Sequence, residues 1–330
     1  MKKTLYLCLF YLLVPLAAHA LELGMPIGCD IGKDCFIQYY VDTDGGEGAA
    51  DFKCNALSYN NHDGTDFRLR NYLALKKNIP VYAAADGFVQ TIDTPVPDAK
   101  LKELEATRAT HHQCVNGITL YHGGGWETAY CHLREDSIKL QKGDKVKQGD
   151  LLGYVGMTEV AAIPHLHFAV RENGKALDPF TGKSADTGCT EPYTTPLWNK
   201  ETLEKLPYTP TTVLTAGFAA KTPIAEDARG GKDILTRLDK KTKSVILWAD
   251  LMGVFKGDSV MLEITDPAGK IIHTHQLNME ESLPVYFVHS GPGTIKQWTK
   301  GTYHGKITVF RHVGDADRVV LTAEETLDAR

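Results

Sequence analysis

Apolar and polar residues alternate in short runs along most of this chain, and glycines or Asp, Asn and Pro break the runs every few residues. A period of two sends one face of a strand toward a core and the other toward water, so the pattern predicts an all-β protein. Thr65 to Leu69, Gly117 to Tyr121 and Glu127 to Cys131 each read as a strand, the last two joined as a hairpin through Gly123-Gly124-Gly125. Counting outward from Gly124 sets Gly117 opposite Cys131. One stretch departs from the pattern. Pro97 to Arg108 is rich in helix formers with Leu101 and Leu104 on one face, which predicts a helical insertion, most simply a surface excursion and alternatively a lid.

Composition shifts divide the chain further. Residues 21–57 are a Cys- and Gly-rich extension, 58–190 a compact antiparallel β domain, 191–212 a Pro- and Thr-rich linker. Beyond it, runs such as Ser244 to Ala249, Asp258 to Thr265 and Thr302 to Phe310 alternate with turns like Asp266-Pro-Ala-Gly269. For 213–330 this predicts a β-sandwich of the immunoglobulin or fibronectin type, about six or seven strands, as an accessory domain. The Asp- and Gly-rich run 42–48 lacks the spacing of an EF-hand loop and reads as a solvated turn.

The first twenty residues obey a different rule. Lys2 and Lys3 precede the apolar stretch Leu5 to Ala17, and Ala18-His19-Ala20 forms a small-x-small cleavage site, so 1–20 read as a signal peptide. No other segment approaches the roughly 20 apolar residues of a membrane span, which implies a periplasmic or secreted chain with no span after cleavage. Of 7 cysteines, Cys8 leaves with the leader. Cys29, Cys35, Cys54, Cys114, Cys131 and Cys189 remain, an even number in an oxidising compartment, and imply three disulfides of open connectivity. Basic residues number 36 against 41 acidic; losing Lys2 and Lys3 takes the net charge from −5 to about −7. Without a basic stripe or aromatic ladder, nucleic acid is excluded as a partner.

The candidate chemistry lies in four histidines and one aspartate: His62-Asp63-Gly64-Thr65-Asp66, Tyr130-Cys131-His132 and Pro164-His165-Leu166-His167. Hydrolytic zinc takes three imidazole or carboxylate ligands and keeps a fourth position open for water. In extended backbone His165 and His167 point the same way, and Gly64 argues for a loop running from His62 into the strand that carries Asp66. A second pair, His273-Thr274-His275, has no carboxylate at ligand spacing and reads as an exposed strand face; His111-His112 reads as a solvated loop.

At these residues the chain resembles the M23 family of zinc metallopeptidases, the LytM or lysostaphin-like peptidoglycan endopeptidases. The likeness runs from about Ser58 to Phe180 and includes Pro80 to Val89, Asn116 to His122, Val146 to Gly153 and Asn173 to Pro179. The resemblance implies a LytM-type β fold and one zinc held by His62, Asp66 and His167, with His132 and His165 as catalytic histidines that do not bind metal. It implies an endopeptidase acting on peptide stems of peptidoglycan, at a D,D-bond to diaminopimelate. Alternatives are a secreted protease cutting Gly-rich proteins or a rival's wall, and a non-catalytic wall-binding or amidase-activating module. The accessory domain would hold wall or a protein partner. Cys131 stands where the commoner family form has Ala or Gly, and a disulfide to Cys114 is preferred over a reactive thiol, with a bulge or bend closing the register gap. Lys142 to Gly153 also resembles the turn-rich strands of lipoyl and biotinyl carrier domains, but without their flanking signature the likeness is architectural.

Overall fold

The computed structural model describes residues 21–93, 114–157, 163–189, 195–232, 234–239, 241–294 and 297–330. The leader, the expected helical insertion and His111-His112 lie outside them. The described part is overwhelmingly β, as the alternation predicts.

Eleven strands form before residue 190: β1 (Cys35–Tyr39), β2 (Thr65–Leu69), β3 (Pro80–Tyr82), β4 (Gly87–Ile92), β5 (Ile118–Gly123), β6 (Trp126–Cys131), β7 (Lys145–Val146), β8 (Leu151–Tyr154), β9 (His165–Glu172), β10 (Lys175–Asp178) and β11 (Lys183–Ser184). The main sheet runs β1-β2-β9-β6-β5-β4-β7, with β10 against β9, β11 against β10, and β3-β8 as a separate pair. Every pairing in it is antiparallel. One face of the central strands, with Phe67, Leu69, Tyr130, Leu166, Phe168 and Val170, closes the core. The opposite face carries Asp66, His165 and His167, so period-two alternation separates core from site.

Regular strands do not exhaust this core. Leu23, Ile27, Tyr40 and Leu57 from the N-terminal extension are buried in it, as are Leu197, Trp198 and Leu206 from the Pro- and Thr-rich segment. Trp198 stacks on Phe168 at 5.4 Å between ring centroids, and Leu23 exchanges backbone hydrogen bonds with Leu197 and Asn199. The Asp42 loop is a self-knit turn: its carboxylate accepts from the backbone N–H groups of Asp44, Ala50 and Asn61. Cys29–Cys35, Cys54–Cys189 and Cys114–Cys131 are the three disulfides. The β5–β6 hairpin pairs Ile118 with Tyr130, in keeping with Gly117 opposite Cys131. The bend that brings Cys114 within reach folds its Sγ directly over Gly117, where an added Cβ would clash with the sulfur.

The rest of the chain forms β12 (Thr212–Ala219), β13 (Arg237–Leu238), β14 (Ile246–Val254), β15 (Ser259–Thr265), β16 (Ile271–Asn278), β17 (Leu283–Ser290), β18 (Gly301–Val313) and β19 (Ala316–Ala329). They make two sheets, β12-β14-β17 and β13-β19-β18-β15-β16, packed face to face. β14 is buried on both sides. Leu247, Ala249 and Leu251 fill the sandwich core, while Met252 joins Phe36 of β1 and Leu214 in a separate cluster. Asp250, on the same outward face as Met252, meets Arg68 of β2 across the domain junction at 2.7 Å.

Candidate metal centre

The site is assembled in one row across three strands. Asp66 of β2 lies opposite His167 of β9, and His167 lies opposite Cys131 of β6. Antiparallel partners in register present their side chains on the same face, so Asp66 and His167 converge, with His165 two residues along the same strand. His62 joins them from the loop ahead of β2. Gly64 is required there: a Cβ on it would come within 2.6 Å of the His167 ring and 2.8 Å of the Phe168 carbonyl.

His62 Nε2 is 3.2 Å from Asp66 Oδ1 and 3.2 Å from His167 Nδ1, and His167 Nδ1 is 2.9 Å from Asp66 Oδ1. The far nitrogens define the tautomers. His62 Nδ1 faces the Tyr40 carbonyl at 2.7 Å, and His167 Nε2 faces Asp63 Oδ1 at 3.2 Å. Each outer nitrogen therefore donates its N–H outward, and with a metal bound each inner nitrogen would offer its lone pair beside the Asp66 oxygen. Three electron-pair donors facing one another want a cation between them. A donor set of two imidazoles and one carboxylate suits zinc, so the residues present fit the metal that the family resemblance implies.

Charges in the site obey the same logic. Burial alone would raise the Asp66 carboxyl, but its interactions with the surrounding imidazoles of His62, His165 and His167 hold it well below the usual range. Burial would lower His167, yet hydrogen bonds to Asp63 and Asp66 lift it to about 9, a proton standing in for the cation. Tyr59 stacks on His62 at 4.3 Å and Tyr39 meets it edge-on, so aromatic rings flank this imidazole.

His132 and His165 sit beside this triad. His165 Nδ1 donates to the Ile163 carbonyl at 3.1 Å, which leaves Nε2 as the acceptor, 3.8 Å from Asp66 Oδ2. His132 follows β6 in the left-handed region, at φ 63°. An L-residue is rarely held there. The turn carries the imidazole to 4.7 Å from the His165 ring and 6.1 Å from that of His167. Burial pushes both His132 and His165 down, and the neighbouring imidazoles push His132 further, so both are neutral bases at neutral pH.

All five residues singled out in the sequence thus meet in one cluster. The His273-His275 pair does not join them; it lies on β16, where His273 Nε2 hydrogen-bonds Ser290 Oγ at 2.8 Å. Sequence reading missed Asp63 and Arg171. Asp63 stands in the same five-residue motif as two candidate ligands, but nothing in the motif shows where its side chain points.

An antiparallel β scaffold that brings together two imidazoles, one carboxylate and two adjacent neutral histidines has the donor set that metal-dependent hydrolysis uses. Residues 60–179, little more than a third of the chain, match the model of peptidase family M23, so this segment is an M23 peptidase domain. It is similar to the DD-carboxypeptidase/endopeptidase Mpg of Neisseria meningitidis, with 38% identity over 118 residues, 36% of this chain and 22% of the relative. It is also similar to the peptidoglycan DD-endopeptidase ShyA of Vibrio cholerae, with 29% identity over 117 residues, 36% of this chain and 22% of the relative. The chain thus matches about a fifth of the length of these curated relatives. Among solved structures, a zinc-containing peptidase from Vibrio cholerae matches at 27% identity and a TM-score of 0.28, covering 44% of this chain and 39% of that one.

Proposed function

We propose that this protein is a zinc metalloendopeptidase that hydrolyses peptide cross-links of bacterial peptidoglycan at a D,D-bond to diaminopimelate. The observation that supports it most is the convergence of His62 Nε2, Asp66 Oδ1 and His167 Nδ1, beside two further histidines that take no part in that set. Bound there, zinc supplies Lewis acidity to a scissile carbonyl and lowers the pKa of a water to about 7. The protein's own groups move the protons. His165 Nε2 and the His132 imidazole accept a proton from the attacking water, stabilise the tetrahedral oxyanion and return a proton to the leaving amine. Because burial keeps both neutral, they are bases already poised to accept.

The substrate comes from the names of the relatives, two of which are DD-endopeptidases. Export to the periplasm or beyond fits three disulfides, which persist in oxidising compartments, and the leader pattern of residues 1–20. Among the described residues no helix is long and apolar enough to cross a membrane. Purified sacculi digested with and without a chelator, with released fragments identified by mass spectrometry, test the reading. Release of un-cross-linked stems that chelator abolishes and added zinc restores is expected; binding to sacculi without release is the result that sinks it.

A further inference from the structure

Asp63 makes contacts that the hydrolytic reading does not use. Its Oδ1 lies 3.2 Å from His167 Nε2, and its Oδ2 accepts a hydrogen bond from Arg171 Nη2. Arg171 is four residues beyond His167 on β9, so the two side chains leave the strand on the same face. The chain closes a circuit here: β9 contributes the ring and the guanidinium, and the loop between His62 and Asp66 contributes the carboxylate that joins them. On one side of the ring, Gly64 packs so closely that a methyl group there would overlap it. The ring is thus held at its outer nitrogen and along one edge.

We propose that Asp63, clamped by Arg171, is a positioning residue that locks His167 as the Nε2–H tautomer with Nδ1 aimed at the metal. This rests on the zinc reading above. Asp63 cannot bind the same ion, because its carboxylate lies on the Nε2 side of the imidazole while His62 and Asp66 lie on the Nδ1 side. A carboxylate that accepts the outer N–H of a ligating histidine fixes ring rotation and tautomer and makes the inner nitrogen a better donor; loss of such a partner typically costs 10–100-fold in metal affinity. Arg171 holds Asp63 ionised and in place, and its own loss removes a part of that effect. One short loop therefore supplies two ligands and orients the third.

The test is zinc affinity of the full chain, measured by competition with a chromogenic chelator of known affinity, for the parent, Asp63→Ala, Asp63→Asn and Arg171→Ala. Asp63→Ala is expected to bind zinc about 10–100-fold more weakly. Arg171→Ala should lose less, and Asp63→Asn, whose amide oxygen still accepts the N–H, should recover part of the loss. Thermal melting of each metal-free variant separates failure to fold from failure to bind. In the cobalt-loaded proteins the visible d–d bands should change shape in Asp63→Ala, since the His167 donor is no longer fixed. If the parent binds zinc tightly and a folded Asp63→Ala binds it equally well, the positioning role is overturned and the zinc reading stands. A parent chain that binds no zinc overturns the zinc reading itself, and this inference with it.

Discussion

His132 and His167 are 6.1 Å apart by ring centroid, yet the site asks opposite things of them. His167 has both carboxylates against it and belongs to the His62–Asp66–His167 cluster proposed to hold the metal; His132 stands outside that cluster, and burial keeps its ring neutral, as the proposed proton transfer needs. His167→Ala is therefore expected to lose zinc and activity together. His132→Ala should keep about one equivalent of zinc and lose turnover by about 10² or more. Metal analysis of both purified variants checks it, and a metal-free His132→Ala contradicts the division of roles. A second buried acid acts on stability. Burial raises the Asp178 carboxyl to about 6, only partly offset by hydrogen bonds from Thr181 Oγ1 and the Phe180 N–H. Between about pH 4 and 6 the folded state holds this proton while the unfolded chain has released it, so folding takes up a proton and stability falls as pH rises. The loss is complete above about pH 6 and amounts to at most about 3 kcal/mol. Asp178→Asn stays neutral throughout, so its unfolding free energy relative to the parent should improve by about 2 kcal/mol between about pH 4.5 and 7 in urea titrations. A difference that does not change with pH contradicts this.

At the scale of elements, the end of β6 carries the heaviest demand. Cys131 is the last residue of that strand, His132 turns out of it into the left-handed region, and the His132 N–H reaches back to the Val115 carbonyl at 3.0 Å. The bridge to Cys114 anchors this corner from below, among Ala129 and Ala169, whose small side chains leave room for it. Closing a loop of this length should contribute on the order of 2–4 kcal/mol. Replacing both cysteines by serine is expected to lower unfolding free energy by that amount while zinc binding and measurable hydrolysis survive, because neither sulfur belongs to the ligand set. Chemical denaturation and activity on a soluble cross-linked peptide give the two readouts. Complete loss of turnover in a folded, zinc-loaded variant makes the bridge part of the catalytic geometry.

At the scale of the whole molecule, the sandwich contributes none of the three proposed ligands among the described residues but grips the strand that carries Asp66. Asp66 and Arg68 leave β2 on one face, and Arg70 follows directly after the strand. Asp66 enters the metal site, Arg68 pairs with Asp250, and Arg70 donates to the Leu214 carbonyl at 3.0 Å. Arg68 and Asp250 are both fully buried, and Asp250 also accepts two hydrogen bonds from Arg229 at 2.8 and 2.7 Å. Removing one member of a buried pair strands the other charge and costs about 3–5 kcal/mol. Asp250→Ala is thus expected to destabilise the full chain by about that much, and with Arg68 two residues from Asp66, to weaken zinc binding as well. Replacing all three charges by apolar residues, Arg68→Met, Asp250→Leu and Arg229→Met, should restore much of the stability, since well-packed hydrophobic replacements of buried ionic clusters are often neutral or better. Urea denaturation of the single and triple variants decides it. A single variant as stable as the parent contradicts a coupled junction.

The sequence by itself determined the all-β character and which residues could form the site, because those properties are written locally. Alternation of period two marks strands whatever they pack against, and the glycines at 123–125 mark a hairpin. His62 with Asp66, and His165 with His167, are close enough along the chain that their spacing alone places each pair on one side. Tertiary structure alone decided what depends on segments far apart. The extension and the Pro- and Thr-rich segment look like connections because they lack periodicity, yet Leu23 and Trp198 are buried, since burial requires a neighbouring surface and not a regular element. Cys54 finds Cys189 across 135 residues, and Arg68 finds Asp250 across 182. Asp63 reads as a filler between two ligands until β9 is laid beside its loop and His167 and Arg171 close on it. A side chain's neighbours along the chain limit which way it points; only the packing of distant strands supplies the atom it meets.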